Sequence, residues 1–203
     1  MSLVIEYFIA PQSPWAYLGH QRLLDIAAAA GATVDLKPAD YGRIFPASGG
    51  LPLPKRAPQR QAYRLVELQR FSQHLGIPLN PQPTHFPVPG DDAARLIITV
   101  QQHDGAAAGM ALAGALMRAL WVQDRHIADP NTLAALLAEM GLPAQRLDDA
   151  KAPAAQQAYD TNTDRAITLG VFGAPTYVVD DALFWGQDRL DFLQRHLVHL
   201  KPS

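Results

Sequence analysis

The chain has 203 residues and no cysteine, enough for a sizeable core without staples, and the missing thiols exclude disulfide frameworks, thiolate nucleophiles, cysteine-ligated zinc and CxxC redox chemistry. A formal charge of -2 with 18% charged residues leaves no basic footprint for nucleic acid. No apolar run reaches the roughly 20 residues of a membrane span, and residues 1–10 lack the basic start and cleavage site of a signal peptide, so no membrane partner is expected and the cytoplasm is the expected compartment.

Leu3–Ile9 (LVIEYFI), short and rich in β-branched and aromatic residues, predicts a strand buried on both faces. After the turn cluster Pro11–Pro14, the residues Trp15, Leu18, Leu23, Ile26 and Ala27 recur at helical spacing until Gly31, a natural helix stop. Thr33–Pro38 alternates as a second strand, so the chain opens with a right-handed βαβ unit and a parallel strand pair. Residues 42–58, rich in Gly and Pro, are expected to form a long ordered loop that walls a site. An amphipathic helix over Arg60–Leu75 follows, stopped by Gly76-Ile77-Pro78, and a Pro-rich crossing runs from Pro78 to Pro89. Helices are expected at about Asp91–His103, Ala106–Gln123, Asn131–Met140 and Asp148–Leu169. Pro175–Val179 and Ala182–Trp185 flank Asp180-Asp181 as a hairpin whose missing Gly leaves the turn type open. After Gly186, a final helix carries Leu190, Leu193 and Leu197 on one face. The order βαβ, helices, ββα is the thioredoxin arrangement, an α/β fold with an all-helical domain inserted between the two halves of the sheet. The expected boundaries are 1–41 with 169–203 for the thioredoxin-like domain, and 42–168 for the connecting loop and the inserted helical domain.

In such a fold the chemistry sits between the first strand and the first helix, where a helix start presents unpaired N–H groups and partial positive charge. Ser13-Pro14-Trp15-Ala16 occupies that place, with a hydroxyl where a redox protein would carry its first sulfur. Taken alone, Ser before Pro reads as an N-cap. With no histidine beside it the hydroxyl is a poor nucleophile but a good donor, able to stabilise a thiolate brought by a cofactor, and glutathione is the obvious external thiol. Gly173-Ala174-Pro175-Thr176 reads either as a strand edge or as a cis-proline turn whose Ala174 main chain pairs with an extended peptide such as glutathione. Trp185-Gly186-Gln187-Asp188-Arg189 reads either as a helix cap by Gln187 or Asp188, or as a helix start that binds the γ-glutamyl carboxylate on free N–H groups while Asp188 pairs with the ammonium group.

Phe8–Leu18 (FIAPQSPWAYL), Gly170–Val179 (GVFGAPTYVV) and Phe184–Phe192 (FWGQDRLDF) resemble the 2-hydroxychromene-2-carboxylate isomerases, DsbA-like relatives of kappa-class glutathione transferases. The resemblance runs through nearly the whole chain and implies a glutathione-dependent isomerase of naphthalene-type aromatic catabolism, acting on a small aromatic carboxylate. The reaction implied interconverts 2-hydroxychromene-2-carboxylate and trans-o-hydroxybenzylidenepyruvate. By position, Ser13 matches the serine facing the glutathione sulfur, Ala174 beside Pro175 the residue pairing with the cysteinyl backbone, and Gln187 and Asp188 the γ-glutamyl contacts, with Arg189 following. Arg60 aligns with a basic residue that contacts glutathione, Glu67 with an acidic position, and Gly50 with a place where relatives often carry Asn. A homodimer is also implied.

Turning a cis double bond into a trans one requires making it temporarily single, which reversible thiolate addition to an enone achieves without metal or redox change. Arg60 or a backbone donor is the expected holder of the substrate carboxylate. Lys55-Arg56 with Arg60 and Arg64 forms a basic stretch that either draws in an anionic substrate or is a solvated face. Trp15, Tyr17 and Trp185 either line an aromatic substrate pocket or pack in the core. The seven histidines show no metal-binding spacing, and no metal is expected. A kappa-like transferase or peroxidase, and a non-catalytic thioredoxin-fold binding module, are the alternatives.

Overall fold

The computed structural model describes residues 3–200. β1 (Val4–Ile9) and β2 (Thr33–Pro38) pair in parallel, from Val4 opposite Thr33 to Ile9 opposite Pro38, and are joined by α1 (Pro14–Ala30). β3 (Thr176–Val179) runs antiparallel on the other side of β1, and β4 (Ala182–Trp185) completes the order β2-β1-β3-β4. Its central place explains why β1 reads as a continuous apolar run, since Ile5, Tyr7, Phe8 and Ile9 are all fully buried. Asp180 and Asp181 both adopt left-handed conformations, φ 46° and 65°, which is the backbone of a two-residue type I′ hairpin turn and settles the turn type. Gly31, at φ 67°, ends α1 in the left-handed cap expected of it.

Two expected elements are corrected. Residues 42–58 are not one loop: α2 (Tyr41–Ser48) forms within them, followed by a single 3-10 turn at Leu53–Lys55. Asp40 caps α2 by accepting a 2.7 Å hydrogen bond from the Gly42 N–H, and buried Tyr41 and Ile44 anchor it, enough to carry Pro46 inside. The helix expected over Asp148–Leu169 is two, α7 (Arg146–Asp149) and α8 (Pro153–Thr168), because the residue before Pro153 is pushed out of the helical region: Ala152 sits at ψ 149°. The other helices fall where expected: α3 (Pro58–Leu75), α4 (Asp91–Asp104), α5 (Ala106–Trp121), α6 (Pro130–Glu139) and α9 (Leu190–Leu200), the last entered through a 3-10 turn at Gln187–Arg189. Leu190, Leu193 and Leu197 of α9 are fully buried.

The main core is shared between the sheet and the helical segment. Ile5, Tyr7 and Ile9 of β1 belong to the same cluster as Leu96, Ile97 and Val100 of α4 and Leu112, Leu116 and Leu120 of α5. A smaller cluster around Phe8, Tyr41, Ile44 and Val178 covers the other face of the sheet. Among the described residues, no helix is long and apolar enough to cross a membrane.

Candidate active site

A cavity of about 460 Å³ opens where the N-terminus of α1, the turn before β3 and the turn before α9 converge beneath α3. One wall is built from main chain. Ser13 caps α1: its Oγ accepts from the Ala16 N–H at 3.2 Å and donates to the Ala174 carbonyl at 3.4 Å. The Ala174-Pro175 peptide is cis, and Ala174 lines the cavity. Around it, Tyr41 of α2 donates to the Gly173 carbonyl at 3.2 Å and Thr176 Oγ1 donates to the same oxygen at 2.6 Å. Pro175 is buried beneath the wall, its carbonyl accepting from the Gly186 N–H at 2.9 Å.

Gly186, at φ 98°, swings the chain from β4 into the 3-10 turn, so Gly186 is the cap residue and neither Gln187 nor Asp188 caps with its side chain. Gln187 is 1% exposed and its side chain turns inward, where Arg22 donates to its Oε1 at 2.6 Å and to its carbonyl at 3.0 Å. Its contribution to the cavity is therefore main chain. Asp188 and Arg189 pair with each other at 2.8 Å at the rim.

The second wall is α3 with the turn before it, and it is built from side chains. Arg60, Tyr63, Arg64, Glu67 and Phe71 lie at helical spacing on the face toward the cavity, and Arg56 and Gln59 extend it. The Trp15 ring meets Phe71 edge-on at 5.9 Å, and Trp185 closes the opposite side against Phe172 at 4.8 Å. Gly173 lets the Trp185 ring pack close, since a Cβ there would stand 2.2 Å from the Nε1 atom and push the ring away. Burial lowers the pKa of Arg64 to about 10, with Arg56 adding repulsion, and Arg56 is itself lowered by burial and by Arg60. Both remain cationic at neutral pH.

Of the residues singled out in the sequence, Trp15, Arg60, Glu67, Ala174, Trp185, Gln187, Asp188 and Arg189 line the cavity. Ser13 stands directly behind Ala174. Tyr17 is outside the lining, its hydroxyl donating to the Pro78 carbonyl at 3.0 Å. Gly50 is outside it too, and a Cβ there would lie 2.7 Å from the Phe45 ring, so the expected Asn-like side chain has no room here unless Phe45 moves. Sequence reading missed Gln59, Tyr63 and Phe71. The basic stretch of Arg56, Arg60 and Arg64, either a draw for an anionic substrate or a solvated face by sequence, lines the cavity. The spacing 56, 60, 63/64, 67, 71 was the available signal. Among the described residues, no group of three or more His, Cys, Asp or Glu could hold a metal ion.

Comparison with known proteins agrees with this architecture. The model of the DSBA-like thioredoxin domain matches residues 4–198. The 2-hydroxychromene-2-carboxylate isomerase of Sphingobium xenophagum is 30% identical, covering 98% of this chain and 100% of the relative. The protein of the same name from Pseudomonas putida is 31% identical over 95% of this chain and 93% of the relative. A solved 2-hydroxychromene-2-carboxylate isomerase superposes with a TM-score of 0.82 at 27% identity, covering 97% of this chain and 95% of that one. The cytosolic disulfide reductase DsbM from Pseudomonas aeruginosa, solved with GSH, shares the fold with a TM-score of 0.71 at 22% identity, covering 97% and 98%. The chain belongs to the DsbA-like thioredoxin family and, within it, to the 2-hydroxychromene-2-carboxylate isomerase family.

Proposed function

We propose that this member of the family is a glutathione-dependent isomerase that interconverts 2-hydroxychromene-2-carboxylate and trans-o-hydroxybenzylidenepyruvate. The observation that carries the reading is the pairing of a cysteine-free chain with a Ser13 hydroxyl directed at the Ala174 carbonyl, beside a cavity. The residues suit a γ-glutamyl peptide. Ala174 offers main-chain groups at the cavity wall, the Gln187 and Asp188 N–H groups stand at an open helix start, and Arg60 supplies a cation for a carboxylate.

When bound, glutathione would supply a thiolate for reversible addition to the enone, which would make the former double bond free to rotate. Ser13 contributes a hydroxyl donor that turns from the Ala174 carbonyl toward the sulfur, and the α1 N-terminus adds its partial positive charge, both favouring the anionic form. Trp15, Phe71 and Tyr63 shape an apolar face for the aromatic ring and exclude water from it. The arginines of α3 draw in and orient the acid. An isomerisation of this kind leaves no net redox change, consistent with a site without a protein thiol.

The test is the ultraviolet absorbance of trans-o-hydroxybenzylidenepyruvate mixed with the protein, with and without glutathione. Equilibration that depends on glutathione is expected. Equal turnover in its absence would sink the thiolate mechanism, while tight glutathione binding without any turnover would favour a kappa-like transferase.

A further inference from the structure

The cavity holds an imbalance of charge that glutathione alone does not resolve. Both carboxylates in its lining are already engaged, Glu67 with Arg70 at 3.1 Å and Asp188 with Arg189 at 2.8 Å. Among the described residues Arg56, Arg60 and Arg64 have no carboxylate partner, and beyond the effect of burial Arg60 lowers the proton affinity of Arg56 and Arg56 that of Arg64. They are not equivalent. Arg60 is exposed and free to be solvated. Arg56 donates from Nε to the Leu51 carbonyl at 2.8 Å and lies 5.8 Å from the Phe45 ring centre. Arg64 is half-buried, its guanidinium 5.0 Å from the Phe86 ring centre and 5.8 Å from that of Trp121, and among the described residues none of its N–H groups meets an acceptor.

An Arg stacked on aromatic rings is held in place while its planar fork of donors stays unspent. A half-buried cation without an anion is costly, and the arrangement is accounted for when a ligand supplies that anion. On the reading above, the carboxylates of glutathione are met by the Gln187–Asp188 turn and by Arg60. The fork on Arg64 is left over, carried on the Phe86 and Trp121 rings by a residue that lines both this cavity and the adjoining one beside Phe86 and Pro87. We propose that Arg64 receives the carboxylate of the aromatic oxo acid, making it a specificity-determining residue for the substrate rather than for glutathione. This rests on the isomerase reading, and it places the acid end of the substrate against α3 and its aromatic end toward Trp15.

The experiment is calorimetric titration of the protein saturated with S-methylglutathione, which has no thiol to react. The probes are phenylpyruvate, an aromatic oxo acid, and phenylacetone, its counterpart without the carboxylate. Wild type is expected to favour phenylpyruvate by about tenfold or more, and Arg64→Gln to abolish that preference while its S-methylglutathione affinity stays within about twofold. Arg64→Lys keeps the charge but loses the fork, and is expected to weaken phenylpyruvate by roughly threefold with phenylacetone unchanged. It serves should Arg64→Gln fail to fold. A preference that survives in Arg64→Gln, or equal weakening of both probes, overturns the proposal. A loss confined to S-methylglutathione overturns it as well, by giving Arg64 to the cofactor. No turnover of trans-o-hydroxybenzylidenepyruvate, with the phenylpyruvate preference intact, would count against the isomerase reading alone.

Discussion

The two walls of the cavity are held by opposite means. The wall of Ser13, Ala174 and the Gln187–Asp188 turn presents mostly main chain, and each part is braced from beneath by groups on the sheet, on α1 or on α2. The wall of α3 presents long side chains from a helix of 18 residues in which Leu68 alone is fully buried. Main chain on a packed core fixes distances, which on the proposed reading suits recognition of a peptide that never changes. Side chains on a lightly anchored helix can be exchanged without disturbing the fold, which suits the part that must recognise a particular substrate.

The most direct way to break this contrast is Leu68→Ala. It is expected to cost about 2–5 kcal/mol, the range for buried leucine truncation, but to spend the loss locally. Amide exchange should then show α3 losing protection while β1 keeps its own, whereas uniform loss would make α3 an integral part of the core. α1, whose start forms part of the braced wall, carries a buried histidine. His20 of α1 is 7% exposed, its ring nitrogens 3.1 Å from the Met110 carbonyl and 3.4 Å from the Tyr7 hydroxyl, and burial lowers its pKa from 6.5 to about 4, partly opposed by the Met110 bond. Because the folded value lies below the unfolded one, the unfolded chain takes up the proton first as pH falls. Stability should be complete above pH 6.5 and decline by roughly 3 kcal/mol as the pH drops to about 4. Urea unfolding across that range checks this, and His20→Gln should flatten that part of the profile.

Ser13→Ala should lower turnover by about a hundredfold, the usual cost of removing one aimed donor, with glutathione affinity little changed. Absorbance of the bound thiolate would fall at neutral pH, and an unchanged rate would remove the serine from the mechanism. Arg22→Met releases the clasp on Gln187 and should raise the KM for glutathione by about tenfold with kcat nearly constant, since its bonds set where the turn sits rather than what it does. A fall in kcat alone would contradict that division. The smallest change is expected on the outer face of α3, where Arg70→Ala removes an exposed partner of Glu67 and should alter stability by less than about 0.5 kcal/mol in thermal unfolding.

Much of the braced wall was legible in the sequence because it depends on residues with local signatures: a Ser-Pro helix start, a Gly-Ala-Pro turn, a Gly before Gln-Asp-Arg. What it omitted is how those pieces are tied together. Nothing local says that Arg22 reaches residue 187, or that Tyr41 reaches the Gly173 carbonyl, since both depend on which elements the fold makes neighbours. For the same reason the motif, which offered Gln187 or Asp188 as a cap, did not show that the Gln187 side chain turns inward to Arg22. α2 escaped notice because Gly42, Pro46 and Gly49 outweighed the cap at Asp40 and the buried pair Tyr41 and Ile44, which need tertiary contacts to matter. The break at Pro153 could have been read from the proline itself. On α3 the periodic face was visible, but periodicity alone does not distinguish a face turned to solvent from one turned to a cavity.

The bond between Ser13 and the Ala174 carbonyl spans 161 residues of sequence, and the Arg22 clasp spans 165. During synthesis at about 5–20 residues per second, the first helix therefore waits roughly ten seconds or more for the segment that completes its wall. Through that interval β1 has only β2 as a strand partner, and one flank of an apolar strand stays unpaired. Acquisition of a working site is consequently a late event in the life of each molecule, and thiol-dependent turnover on a translating ribosome should rise only after β3 has emerged, well behind the first burst of helix formation.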